Sequence, residues 1–226
     1  PLHAIPVHAP PRPTGPDVNL DTLITHVPDL ALAAALAWGA GLRLYLVVFL
    51  FGLAGLGGFW PLPEHLQVLS HPVVLAASGF MAFVELFADK LPWLDSVWDA
   101  LHTLIRIPAG AALAAAVFGD AGAATATAMA LLGGTLTATT HFAKAGTRAA
   151  VNTSPEPFSN VAVSLAEDAL VVGGTWMATQ YPLLFLGLIA LFVLTALLLL
   201  RMLVRGARRM FSRTVPAGDR PGAPGR

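Results

Sequence analysis

Cysteine is absent from this chain, which excludes disulfides, thiolate metal sites and cysteine nucleophiles together. Charge is scarce as well: Asp, Glu, Lys and Arg make up 12% of the 226 residues, against roughly a quarter in a soluble domain. Acids and bases are equal in number, so the bulk charge offers nothing to nucleic acid. No Gly-rich phosphate loop, Gly-x-Ser-x-Gly elbow or His-Glu-x-x-His run occurs. Asp99-x-x-His102 has helical ligand spacing but no companion pair, so no metal and no cofactor is implied. The first residues do not read as a secretory signal, because Pro1 to Pro16 holds six prolines and one cation, Arg12, with no apolar run behind a basic start.

Apolar residues are abundant: 56% of the chain is hydrophobic and the mean hydropathy is +0.70. An all-α, polytopic transmembrane helix bundle is the expected fold. Residues 1–19 read as a flexible Pro-rich tail, 20–212 as the helical domain, and 213–226 as a second Pro/Gly-rich tail.

A crossing helix needs about 20 mostly apolar residues to cover ~30 Å of hydrocarbon. Pro182 to Val204, Val161 to Thr179, Ala121 to Ala143 and Pro72 to Ala88 are expected spans. Ile107 to Phe118 reaches only ~18 Å at 1.5 Å per residue. It crosses if its helix begins back at Asp95 and kinks at Pro108. Asp29 to Trp60 is too long for one upright helix and is interrupted at Gly39-Ala40-Gly41-Leu42-Arg43. It is either one broken helix or two short ones, giving six or seven crossings. With six, the outer loops carry no Lys or Arg. The inner segments then hold Arg12, Lys90, Arg106, Lys144, Arg148 and the C-terminal arginines, and only Arg43 is left within a span. The positive-inside rule thus predicts an inner-membrane protein with a cytoplasmic C-terminus.

Asp95, Asp99, His102 and Arg106 fall at i, i+4, i+7 and i+11, one face of a helix. Trp93 and Trp98 beside them suit a membrane interface. The stripe reads either as the solvated face of an interfacial helix or as an ion or proton site at the mouth of the bundle. Thr137, His141, Lys144 and Arg148 repeat the spacing, followed by the proline-broken stretch Asn152 to Asn160. That stretch is either a loop tied by hydrogen bonds or a substrate loop offering Asn152 and Asn160, with Glu156 facing Lys144 or Arg148.

Acids inside spans complete the set: Glu85 with Asp89, and Glu167 with Asp168. Such residues usually turn inward and find a partner. For Glu167 the candidate partners are Arg43, Lys144 and Arg148. A buried structural ion pair is the alternative to a functional site. Gly57-Gly58, Gly133-Gly134 and Gly173-Gly174 are expected at close helix contacts. Ala40-Gly41-Leu42-Arg43 resembles Ala145-Gly146-Thr147-Arg148, and each precedes an acid in a span. Two such units would make a duplicated architecture.

Gly41-Leu42-Arg43, Val84-Glu85 and Leu91-Pro92-Trp93-Leu94-Asp95-Ser96-Val97-Trp98-Asp99 resemble the domain-of-unknown-function family 4126, a group of small bacterial membrane proteins. The resemblance covers about Leu30 to Arg209. It implies a single multi-span domain and supplies no catalytic residues.

The residues favour a transporter or channel-like protein for a small ion or polar solute. In that reading Glu85 and Glu167 exchange protons or bind a cation while Arg43 and Arg148 offset their charge. The competing expectation is a structural or assembly subunit of a larger membrane complex. An enzyme acting on lipid would have Asp99, His102 and His141 as acid/base groups, without a recognisable nucleophile or metal set. The lipid bilayer is the expected partner, with a homo-oligomer or a larger complex as further assembly.

Overall fold

The computed structural model describes residues 24–151 and 157–213. The Pro-rich tails expected at both ends lie outside these residues, as do Asn152 and Glu156. Among the described residues the chain is all-α, without a strand. Six long helices run in order: α1 (Val27–Leu56), α2 (Pro72–Ala88), α3 (Pro92–Val117), α4 (Ala123–Val151), α5 (Pro157–Gln180) and α6 (Pro182–Arg213). A 3-10 turn at Glu64–Ser70 precedes α2, and a shorter one at Gly119–Ala121 precedes α4.

Proline sets the starts. Pro28, Pro72, Pro92, Pro157 and Pro182 each sit at the opening of a helix, where the missing N–H would have had no partner. His71 adds a cap to α2, its Nδ1 accepting from the Val73 N–H at 3.2 Å. Pro108 is the exception, carried inside the unbroken α3, so Ile107 to Phe118 is the second half of one long helix.

α1 is the axis. Half of its most apolar window is buried, against 6% for α6, and the other five helices all pack on it. Leu32, Leu36, Val47 and Phe51 of α1 meet Leu66 and Leu69 of the 3-10 turn, Ala114 of α3, Val171 of α5 and Phe185 of α6. Of the region from Asp29 to Trp60, the part to Leu56 is a single helical run with one break, at Arg43, whose φ of −147° and ψ of 77° are non-helical, and 57–60 form a turn.

Small residues bring α1, α3 and α4 together. A Cβ on Gly41 would lie 2.6 Å from the Thr137 carbonyl, and the Thr137 hydroxyl donates to the Ala37 carbonyl at 2.7 Å. Gly110 faces the Thr137 side chain and Gly133 faces Ala114, while Gly174 admits the ring of Trp38. The expectation for the Gly pairs is met in part. Gly58 and Gly173 have open space where a Cβ would be, so neither mediates a close contact.

Among the described residues, four helices are long and apolar enough to cross a membrane: α1, Val97–Val117 of α3, Phe158–Gln180 of α5 and Pro182–Met202 of α6. The Glu64–Ser70 turn and α2, bent by 65°, make a fifth if they form one broken span. Threonines, glycines and two cations lower the hydropathy of α4 below that of the other long helices. Exposed Leu, Phe and Val side chains cover the outside, densest on α6.

Candidate functional site

Charged side chains from α1 to α5 meet inside the bundle. The C-terminal end of α2, the first half of α3, the second half of α4 and the first half of α5 converge on the break in α1. Arg43, Arg106, Lys144 and Arg148 are all buried, as are Glu85, Asp89, Asp99 and Glu167. Taking an unpaired charge out of water costs several kcal/mol, so each is held by partners from other helices.

The break in α1 supplies the first of them. Arg43 reaches Asp89 Oδ2 at 2.7 Å, Asp168 Oδ1 at 3.0 Å and the Ser164 hydroxyl at 2.8 Å. Beside it the Leu42 carbonyl accepts from Lys144 Nζ at 3.1 Å. Non-helical backbone at membrane depth is tolerated where protein groups satisfy it, and here a lysine does so. Lys144 also stands 3.5 Å from Asp89, 3.5 Å from Asp99 and 3.6 Å from Glu167. Arg148 clamps both oxygens of Glu167, at 3.1 and 2.8 Å, and donates to Asp89 Oδ2 at 3.2 Å.

Arg106 closes the other end. It donates to Asp99 Oδ1 at 2.7 Å and to Glu85 Oε1. Its Nη1 also lies 3.4 Å from His141 Nδ1. Thr103 Oγ1 stands 2.8 Å from the Asp99 carbonyl and 2.7 Å from His141 Nε2, so the His141 ring is held between Thr103 and the Arg106 guanidinium. A continuous run of ion pairs thus links Glu85, Arg106, Asp99, Lys144, Asp89, Arg43 and Asp168.

The two sequence stripes are both present, and their surroundings correct two expectations. Asp99, His102 and Arg106 are buried, so this face of α3 is not a solvated interfacial stripe. Glu85 of α2 and Lys144 and His141 of α4 take the place of water. Likewise Arg43 is not alone within a candidate span, because Arg106 lies in Val97–Val117, and Lys144 and Arg148 lie inside α4. All four cations lie inside helices, each paired with carboxylates. Lys90, at the turn after α2, and Arg201, Arg205 and Arg208, on α6, remain exposed.

Glu167 has all three of the partners considered for it: Arg148, Lys144 and, at 3.8 Å, Arg43. Asp168 is partly exposed, on the rim. His102 stays outside the ion pairs, with its Nδ1–H donated to the Trp98 carbonyl at 2.8 Å and its ring stacked on Trp98. Asn160 is buried two turns before Glu167 without ion-pair contact. The side chain of Asp95 lies outside the described residues, as do Asn152 and Glu156. Arg106 carries its signal in the sequence, at i+11 on the face shared by Asp95 and Asp99. Ser164 and Thr103 gave no signal beyond being polar. The tetrapeptides at Ala40 and Ala145 differ locally, one at a helix break and one within a regular helix, yet Arg43 and Arg148 share Asp89 and Glu167.

A cleft of about 750 Å³ between α1, α4, α5 and α6 reaches this network, with Lys144 and Glu167 in its wall among Trp38, Leu170, Met177 and Phe185. Among the described residues, no three His, Asp or Glu are arranged to hold a metal ion. The family model described as "Domain of unknown function (DUF4126)" matches residues 30–202. No curated protein and no solved structure matches the chain.

Proposed function

The chain belongs to the DUF4126 family, whose description assigns no activity, and from its interior we propose that it is a membrane transporter or channel-like protein for a small ion or polar solute. One observation carries this reading: a run of buried ion pairs joins five helices around a mid-helix break. Ionisable groups at membrane depth are costly, and they mark ion or solute pathways more often than structural staples. Broken helices at such sites free backbone groups for ligands, and the Leu42 carbonyl, held by Lys144, is one.

Six crossings of the bacterial inner membrane, with α2 and α4 counted, suit this reading. Lys90 and the basic end of α6 then face the cytoplasm. The ends of α2 and α4 and the starts of α3 and α5 share that side, so the network lies in the cytoplasmic half. Access from it to the bilayer runs through the cleft beside α6.

Flux of protons or alkali cations into proteoliposomes tests the reading. The full chain should carry flux that falls at least tenfold in Glu167→Gln and in Arg148→Ala. Flux unchanged in both would sink the roles given to the network. The exposed apolar face of α6, only 6% buried, supports a second reading, a subunit docked in a larger membrane complex. A foreign protein co-purifying in stoichiometric amount in mild detergent would favour it.

A further inference from the structure

The network does not balance. Four cations, Arg43, Arg106, Lys144 and Arg148, face five carboxylates, those of Glu85, Asp89, Asp99, Glu167 and Asp168. With His141 counted as neutral the network is one positive charge short, and Asp168, on its rim, is the one partly exposed carboxylate of the five.

Two oxygen atoms show where it belongs. Glu85 and Asp89 are fully buried, yet Glu85 Oε2 and Asp89 Oδ1 have no hydrogen-bond partner among the described residues. They are the only carboxylate oxygens so placed among those residues. The two residues stand at i and i+4 on α2, one turn apart on one face, where side chains meet. Asp89 closes the helix with φ −66° and ψ −14°, so the helical spacing holds to its Cα. Their other oxygens are taken: Oε1 of Glu85 by Arg106, and Oδ2 of Asp89 by Arg43, Lys144 and Arg148.

We propose that Glu85 and Asp89 hold one exchangeable proton between them, carried on Glu85 Oε2 and donated to Asp89 Oδ1. A single proton supplies the missing charge and pairs both orphan oxygens, as when two buried carboxylates share a site. Its release leaves two carboxylates and passes H⁺ to water. Glu167 is the poorer carrier, because Arg148 occupies both of its oxygens.

The groups that face Glu85 set the occupancy. They are Arg43 and Tyr45 on α1, Arg106 on α3, Lys144 on α4 and Asp89 on its own helix; Asp99 and His141 stand behind Arg106, and His102 behind Tyr45. Glu64 and His65 of the 3-10 turn are exposed at the opposite end of α2. The shared proton deepens the transport reading by naming the coupling ion, but its presence does not require transport.

Infrared spectroscopy of the full chain in lipid nanodiscs tests it. Near neutral pH the protein should show the carbonyl stretch of a protonated carboxyl, shifted to lower frequency in D2O. Glu85→Gln should lose that band and still melt within about 4 °C of the parent, since the amide reproduces a neutral donor against Asp89. A parent without the band, a band retained in Glu85→Gln, or a variant that unfolds would overturn the proposal. So would sodium-dependent melting without the band, which would put a metal cation in place of the proton. Flux has no part in this readout, so failure of transport and failure of the shared proton are told apart.

Discussion

Arg148→Met probes the network most sharply, because it does not strand its two carboxylates equally. Arg148 is almost fully buried and holds Glu167 at 3.1 and 2.8 Å and Asp89 Oδ2 at 3.2 Å. Without it, Asp89 keeps Arg43 at 2.7 Å and Lys144 at 3.5 Å. Glu167 keeps only Lys144 at 3.6 Å and Arg43 at 3.8 Å, neither a direct hydrogen bond. The variant therefore leaves a buried carboxylate without a direct donor, and breaking a buried pair in this way costs about 3–5 kcal/mol. Whole domains are stable by about 5–15 kcal/mol. At about 2–4 °C per kcal/mol for a chain of this size, melting should fall by about 6–20 °C. Glu167→Gln removes the stranded charge, so the double variant should recover part of the loss, with a coupling energy of about 2–3 kcal/mol. Thermal melting of the parent, both single variants and the double variant in nanodiscs completes the cycle. A single variant within about 3 °C of the parent, or purely additive losses, would refute the assigned pairing.

Two further predictions concern packing and topology. Gly41→Val should destabilise by about 1–3 kcal/mol, because a Cβ there would sit 2.6 Å from the Thr137 carbonyl. Gly146→Ala, with open space around it, should be neutral or gain up to about 1 kcal/mol; melting measurements that reverse this order would contradict the close approach of α1 and α4. Since the chain has no cysteine, Tyr181→Cys and Arg205→Cys each report one side of the membrane. An impermeant thiol reagent should label the first only from outside and the second only from inside, and labelling of both from one side would overturn the orientation of α6.

Much of the helical architecture was legible from local chemistry. A proline at a helix start carries its own reason, a fixed φ and no N–H to lose, so Pro72 and Pro182 mark boundaries without help from neighbours, whereas α3 begins at Pro92 and not at the expected Asp95. Hydropathy over about 20 residues identifies α5 and α6 in the same way. The ambiguity at Arg43 was real, because a small-residue stretch permits both a break and two helices. The buried Leu42 carbonyl and Arg43 side chain, satisfied by α4, α5 and the end of α2, allow the break to stand in one run.

Periodicity places Asp99, His102 and Arg106 on one face of α3 but is silent on what that face meets. A solvated stripe and a buried one share one pattern, since the period depends only on helix geometry. The same silence explains why Arg106, Lys144 and Arg148 fall among the inner segments when counted along the chain. By itself the sequence determined an all-helical body, its apolar spans and the faces on which charge is gathered. Only the tertiary structure decided that these faces turn inward on one another. Ion pairing acts through space at a few ångströms, and Arg43 meets Asp89, Ser164 and Asp168 only after separate helices have packed.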